Sequence, residues 1–246
     1  MKSLLLFLVL FGSALTTIPQ EADWQAVEKI FGRKGFLQGD VFKLTFPRTD
    51  LKVNVGDLRV DPGLALTSWI AFEKLQDHVM MMGDLVLLEK EVDPAMKKLV
   101  TSGVDVTALH NHIMNESPKI LYMHFSGHGD PMKLAQAMQE ALALTGTPLS
   151  PQPSPQSTVS FDWSRVESIL GRTAQHKGNL LQVGVPRAET ISEAGTVVPP
   201  AMGVATAINF QIIGDSASTT GDFVLVASEV NTVVQALTVH GIAVTA

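Results

Sequence analysis

Apolar and polar positions follow two periods along this chain, and one succession of them occurs twice. Trp24, Val27, Ile30 and Phe31 fall at the three-and-four spacing of a helix face. Asp23 stands where a carboxylate accepts the first free N–H groups, and Gly32 suits the left-handed residue that closes a helix. Period-two stretches follow and predict strands over residues 41–46, 51–55, 66–72 and 79–88. A second helix is expected after them. Asp93 caps it, Pro94 takes its first position, Ala95, Met96, Leu99 and Val100 form its buried stripe, and Gly103 ends it.

The succession then returns. Asp162-Trp163 followed by Val166, Ile169, Leu170, Gly171 and Arg172 repeats Asp23-Trp24 followed by Val27, Ile30, Phe31, Gly32 and Arg33 at an offset of 139. The offset holds through Pro47-Arg48 and Pro186-Arg187. One residue is then lost, and an offset of 138 matches Ile70 and Phe72 with Ile208 and Phe210, Gly83-Asp84 with Gly221-Asp222, and Glu91-Val92 with Glu229-Val230. It continues to Val106-Thr107-Ala108 and Val244-Thr245-Ala246, with Asn231 replacing Asp93 as the helix cap. An internal repeat of this length implies duplication. The fold class expected is α+β, two tandem copies of one helix and antiparallel-sheet unit. The copies are placed at residues 22–144 and 161–246. Residues 145–160, with four prolines among Ser, Thr and Gln, are expected to form an extended linker. The second copy stops at Ala246, two residues before the first histidine the repeat would supply, and is read as incomplete.

Composition narrows the class. With 46% hydrophobic and 17% charged residues the chain can pack a core. Its formal charge of −6, with no Lys/Arg run, argues against nucleic acid or an anionic membrane surface as partner. Lys2, the apolar run 4–11 and the small residues Gly12-Ser13-Ala14 predict a signal peptide over residues 1–14. The run is too short to cross a bilayer, so no transmembrane helix is expected in the mature chain. The expected location is periplasmic or extracellular. The chain has no cysteine, so neither disulfides nor thiolate chemistry is available.

Imidazole and carboxylate are then the strong ligands at hand. Read as a strand, the segment 104–112 places Val104, Val106, Ala108, His110 and His112 on one face. After a turn at 114–118, residues 119–125 read as a returning strand with Ile120, Tyr122 and His124 on one face. Antiparallel pairing sets His124 opposite His110 or one diagonal step away, about 5 or 7–8 Å apart. The three imidazoles are candidate ligands for one divalent metal, zinc first, because three protein ligands and an open position are the catalytic arrangement. Glu116 at the turn is a fourth ligand or general base, and Glu91, present in both copies, is a second acid. His128 is a flanking ligand of lower rank. His78, His176 and His240 read as structural. The alternative for the three histidines is a packing or surface role.

The runs from Gly83-Asp84 to Val92, from Val106 to His112, and Pro118 with Met123-His124-Phe125 resemble the LppY/LpqO family of bacterial envelope proteins. That family carries a domain of unknown function, and the resemblance implies a bacterial exported protein without implying an activity. Its namesakes are lipoproteins, whereas this chain lacks the cysteine that accepts a lipid. Two functions follow from the sequence. One is a metal-dependent envelope enzyme, a hydrolase or lyase, in which Glu91 or Glu116 handles protons. The other is a non-catalytic module binding a small-molecule or envelope ligand between its two units.

Overall fold

A computed structural model describes residues 24–152, 161–193 and 195–245. The expected signal peptide, the capping carboxylate of Asp23 and residues 153–160 of the expected linker lie outside the described residues.

The chain folds as α1 (Trp24–Phe31), β1 (Phe36–Gln38), β2 (Val41–Pro47), β3 (Asn54–Val55), β4 (Leu58–Arg59), α2 (Pro62–Ala65), β5 (Thr67–Lys74), β6 (Val79–Leu88), α3 (Glu89–Thr101), β7 (Asp105–His110), β8 (Glu116–Ser117), β9 (Ile120–Gly129) and α4 (Pro131–Leu142). It continues as α5 (Ser164–Leu170), β10 (Gln175–Lys177), β11 (Leu180–Pro186), β12 (Ser192–Glu193), β13 (Thr196–Val197), a 3-10 turn at Pro200–Met202, β14 (Ala205–Ile213), β15 (Ser216–Asp222) and α6 (Ala227–Val239). The first region builds an antiparallel sheet in the order β1-β2-β5-β6-β9-β7, and the second builds β10-β11-β14-β15.

Alternation along the strands gives each sheet two different faces. On the first, Phe42, Leu44, Ile70, Phe72, Leu85, Leu87, Met123 and Phe125 form the core beneath α1, α3 and α4. Trp24 stacks on Phe42 at 4.9 Å and tilts against Phe72 at 6.0 Å. Gly83 belongs to this face for a steric reason. A Cβ there would meet Phe125 Cζ and the Trp69 carbonyl, each at 2.3 Å. In the second region Trp163, Leu181, Val183, Ile208 and Phe210 cluster in the same manner, with Trp163 2% exposed and 6.3 Å from Phe210.

The faces turned away from these helices meet each other. Leu180 packs with Leu64, Val86 and Tyr122, while Val198 and Met202 pack with Val41, Ala71 and Met80. Polar contacts follow the same exchange. Lys43 Nζ donates to the Ala201 carbonyl and Gln182 Nε2 to the Gly63 carbonyl, both at 2.9 Å. Asn209 and Thr220 donate to the Leu64 carbonyl.

Several local expectations need correction. The helix expected to begin at Asp93 is α3, which starts at Glu89, and Asp93 and Pro94 lie inside it. The reason is Glu91, whose carboxylate accepts the Leu88 N–H at 2.9 Å and so caps the helix five residues earlier. Asp93 instead pairs with Lys97 one turn on. In the second region Glu229 accepts from Val226 N–H in the same way, and Asn231 is internal. Of the strand expected at 51–55, Asn54–Val55 alone is a strand, paired with β4 and β8, because Leu51 and Val53 turn into the cluster around Leu64. Residues 145–149, read as the start of the linker, are held down: Gly146 N–H donates to Glu91, Arg33 donates to the carbonyls of Pro148 and Leu149, and Thr147 is buried. Gly32 and Gly171 end their helices at φ 60° and 63°, as expected. Asp162 accepts the Ser164 N–H at 3.0 Å, one residue ahead of the cap position.

Candidate metal centre

The centre is built on the rim of the first sheet, on the face away from its helices. β6, β9 and β7 lie side by side there, and their register sets which side chains meet. Asp84 stands directly opposite His124, and His124 opposite Ala108. In the next row Val86 opposes Tyr122, and Tyr122 opposes His110. A bulge between Val106 and Ala108 produces this register, so His110 and His124 are diagonal neighbours rather than an opposed pair. β7 ends at His110, and His112 is not on the strand as expected. It sits in the turn beyond, where its ring lies flat on Tyr122 at 3.8 Å and 9°.

The three rings nevertheless converge. His110 stacks on His124 with centroids 4.9 Å apart, and His110 and His112 are separated by the same distance. His112 Nε2 lies 3.3 Å from His124 Nε2. One ligand atom from each of the three lies within 4.8 Å of the others, so the group could hold a metal ion. The donor set fits a divalent cation of the zinc type. Metal–nitrogen bonds of about 2.0–2.1 Å at a tetrahedral angle place two nitrogens about 3.3–3.4 Å apart. Burial, with His110 and His124 nearby, lowers the His112 pKa to about 4 against the opposing pull of Asp222. Burial and His110 lower that of His124, again against Asp222. These two rings are neutral at ordinary pH and have lone pairs to offer.

The two expected acids lie outside the histidine group, and one of them, Glu116, keeps a buried Oε2 without a hydrogen-bond partner. Glu91 forms a buried ion pair with Arg48 at 2.8 Å and also accepts the N–H groups of Leu88 and Gly146. Arg48 is completely buried and donates further to Asp50 and to the Val86 carbonyl. The second region repeats this lock with Arg187, Glu189, Glu229 and the Val224 carbonyl. Glu116 is 8% exposed, and its Oε1 accepts the Ile120 N–H at 3.1 Å. His128 lies at the far end of β9 against His78, with ring centroids 5.6 Å apart. His176 pairs with Glu167, and His240 Nδ1 lies 2.8 Å from the Ala236 carbonyl.

Two acids that mark the repeat in the sequence bear on the histidines, Asp84 from the strand opposite His124 and Asp222 through its charge. Asp84 is 5% exposed, its Oδ1 has no hydrogen-bond partner, and burial together with Asp222 pushes its pKa up to about 8. Asp222 ends β15 in the second region and acts electrostatically on His112, His124 and Asp84. Gly-Asp recurring in both copies was the available signal. Tyr122 completes the wall, and its hydroxyl donates to the Ala65 carbonyl at 3.0 Å.

No helix among the described residues is long and apolar enough to cross a membrane. No curated protein and no solved structure matches the chain. A family described as a Domain of Unknown Function (DUF1259) matches it in two regions, residues 25–144 and 164–246. The two sheets thus fall one in each matched region, and the chain belongs to the DUF1259 family.

Proposed function

We propose that this is an exported bacterial envelope protein that binds one divalent metal, zinc, through His110, His112 and His124, and uses it in hydrolase or lyase chemistry. The observation that carries the reading is the 3.3 Å separation of the His112 and His124 Nε2 atoms, with a His110 ligand atom close by. Bound there, a zinc-type ion would lower the pKa of a coordinated water or polarise a carbonyl. The chain's own contribution is to hold three imidazoles half-buried, to fix the His112 ring against Tyr122, and to limit water on that side of the sheet. Glu91 and Glu116 remain the proton-handling candidates from sequence; Glu91 would have to exchange its bonds to Arg48, Leu88 and Gly146 for that role, whereas Glu116 has a free Oε2. The commitment of Glu91 favours the second reading, a ligand-binding module of the envelope whose histidines orient or pack. Export rests on Lys2, the run 4–11 and Gly12-Ser13-Ala14, and on the resemblance to LppY/LpqO envelope proteins.

Isothermal titration of untagged, chelator-stripped protein with zinc tests the reading. One site per chain, lost in His124→Ala while circular dichroism is retained, supports it. Absence of binding at micromolar zinc by the folded wild-type chain overturns it and leaves the module. Mass spectrometry of the exported protein should show loss of about the first 14 residues, set by the small-residue cleavage pattern.

A further inference from the structure

The three imidazoles are neutral ligands, and a doubly charged ion in a half-buried site needs negative charge nearby to offset its desolvation. None of the three supplies it. Asp84 faces the site from the neighbouring strand, directly opposite His124, and opposed side chains on an antiparallel pair stand about 4.5–5.5 Å apart at Cβ. It is buried with Oδ1 unpartnered, a costly arrangement for a carboxyl group that serves packing alone. The second carboxylate comes from the other sheet. Asp222 lies on the same face of β15 as Thr220, which donates to the Leu64 carbonyl, so that face is the one laid against the first region. The carbonyl next to the one that Thr220 binds, that of Ala65, accepts the Tyr122 hydroxyl, and the His112 ring lies on Tyr122, so the strand end that carries Asp222 is laid against the histidine side of the seam. A further grip comes from the second region: Thr245 Oγ1 donates at 2.7 Å to the carbonyl of Asn111, the residue between His110 and His112.

We propose that the metal centre is shared between the two matched regions, with Asp222 of the second and Asp84 of the first, which releases its proton as the cation binds, supplying the negative charge that lets the three histidines hold a divalent cation. This rests on the metal-binding reading above and adds a role for the second region, which contributes none of the three imidazoles. Asp84 and Asp222 lie outside the group whose ligand atoms are mutually within 4.8 Å, so they act as charge-compensating and positioning residues rather than as first ligands. Their placement at matching points of the repeat gives the duplication a use. Each region brings its Gly-Asp carboxylate to the seam between the two sheets.

Titration of the chelator-stripped full chain with Co2+ tests the proposal, because the visible d–d bands report both affinity and coordination geometry. Asp222→Asn and Asp84→Asn should each weaken Co2+ binding about tenfold or more, as loss of outer-sphere partners does. Asp215→Asn, in the exposed turn before β15, removes the same charge and should leave binding unchanged. Asp222 is exposed, so its variant keeps the fold, and thermal melts of the metal-free variants verify this. Wild-type affinity and an unaltered band shape in both Asp84→Asn and Asp222→Asn would overturn the proposal. If His124→Ala still loses the ion in that case, the histidine site itself stands. Should the wild-type chain bind no Co2+, both fall together.

Discussion

Glu91→Gln separates a structural carboxylate from a catalytic one. Four donors converge on Glu91: Arg48 Nη1 and Nη2 at 2.8 and 3.1 Å, Leu88 N–H at 2.9 Å and Gly146 N–H at 2.8 Å. Burial alone would raise its pKa, but Arg48 and the two N–H groups outweigh burial and hold it below the usual range. An amide of the same size keeps one oxygen and turns an NH2 group toward donors. It also leaves the fully buried Arg48 with Asp50 as its remaining carboxylate. Breaking a buried pair in this way costs about 3 kcal/mol. For a chain of this length that lowers the melting temperature by about 6–12 °C. The depressed pKa also dates the effect. The wild-type pair contributes fully above the unfolded carboxylate value and loses its contribution as pH falls through the lower folded one, so the gap between variant and wild type should close in acid. Differential scanning fluorimetry at pH 7 and at pH 3–4 measures both. Zinc affinity should be unchanged, because Glu91 stands outside the histidine group. A variant that melts with the wild type but loses metal or turnover would refute the structural assignment and return Glu91 to the site.

Gly83→Ala should destabilise by about 1–3 kcal/mol in thermal melts, since the new Cβ meets the Phe125 ring and the Trp69 carbonyl, and backbone cannot give way cheaply. The metal-free chain should be most stable near pH 6.5. Below that, the unfolded state takes up protons that buried His112 and His124 refuse, so stability falls with acid toward pH 4. From about pH 4 to 8 Asp84 retains a proton that the unfolded state has lost; the two histidines outweigh this below pH 6.5, and above it the decline is unopposed, so stability falls as pH rises toward 8. Asp84→Asn should remove that alkaline decline in melts taken between pH 6.5 and 8, and an unchanged decline would place its origin elsewhere.

Much of this was legible in the chain because local rules and burial agree there. The spacing of Trp24, Val27, Ile30 and Phe31 gave α1, and parity along β9 set His124 on the face shared with Tyr122. What escaped was decided by contacts far apart in sequence. The start of α3 moved because Glu91 caps Leu88 while bound to Arg48, 43 residues before it. The bulge at Val106/Ala108 and the turn carrying His112 are invisible to strict alternation, yet they bring His112 Nε2 to His124. Asp84 and Asp222 cannot be read as site residues from the sequence because their influence on each other depends on how two sheets face each other, which no spacing along one chain encodes.

The most direct test of the metal centre is anomalous scattering from crystals of the full chain grown with zinc, collected on both sides of the zinc edge. One strong anomalous peak should lie about 2.0–2.1 Å from a ring nitrogen of each of His110, His112 and His124. A map without a peak at that point, from a chain whose sheets are otherwise intact, would contradict it.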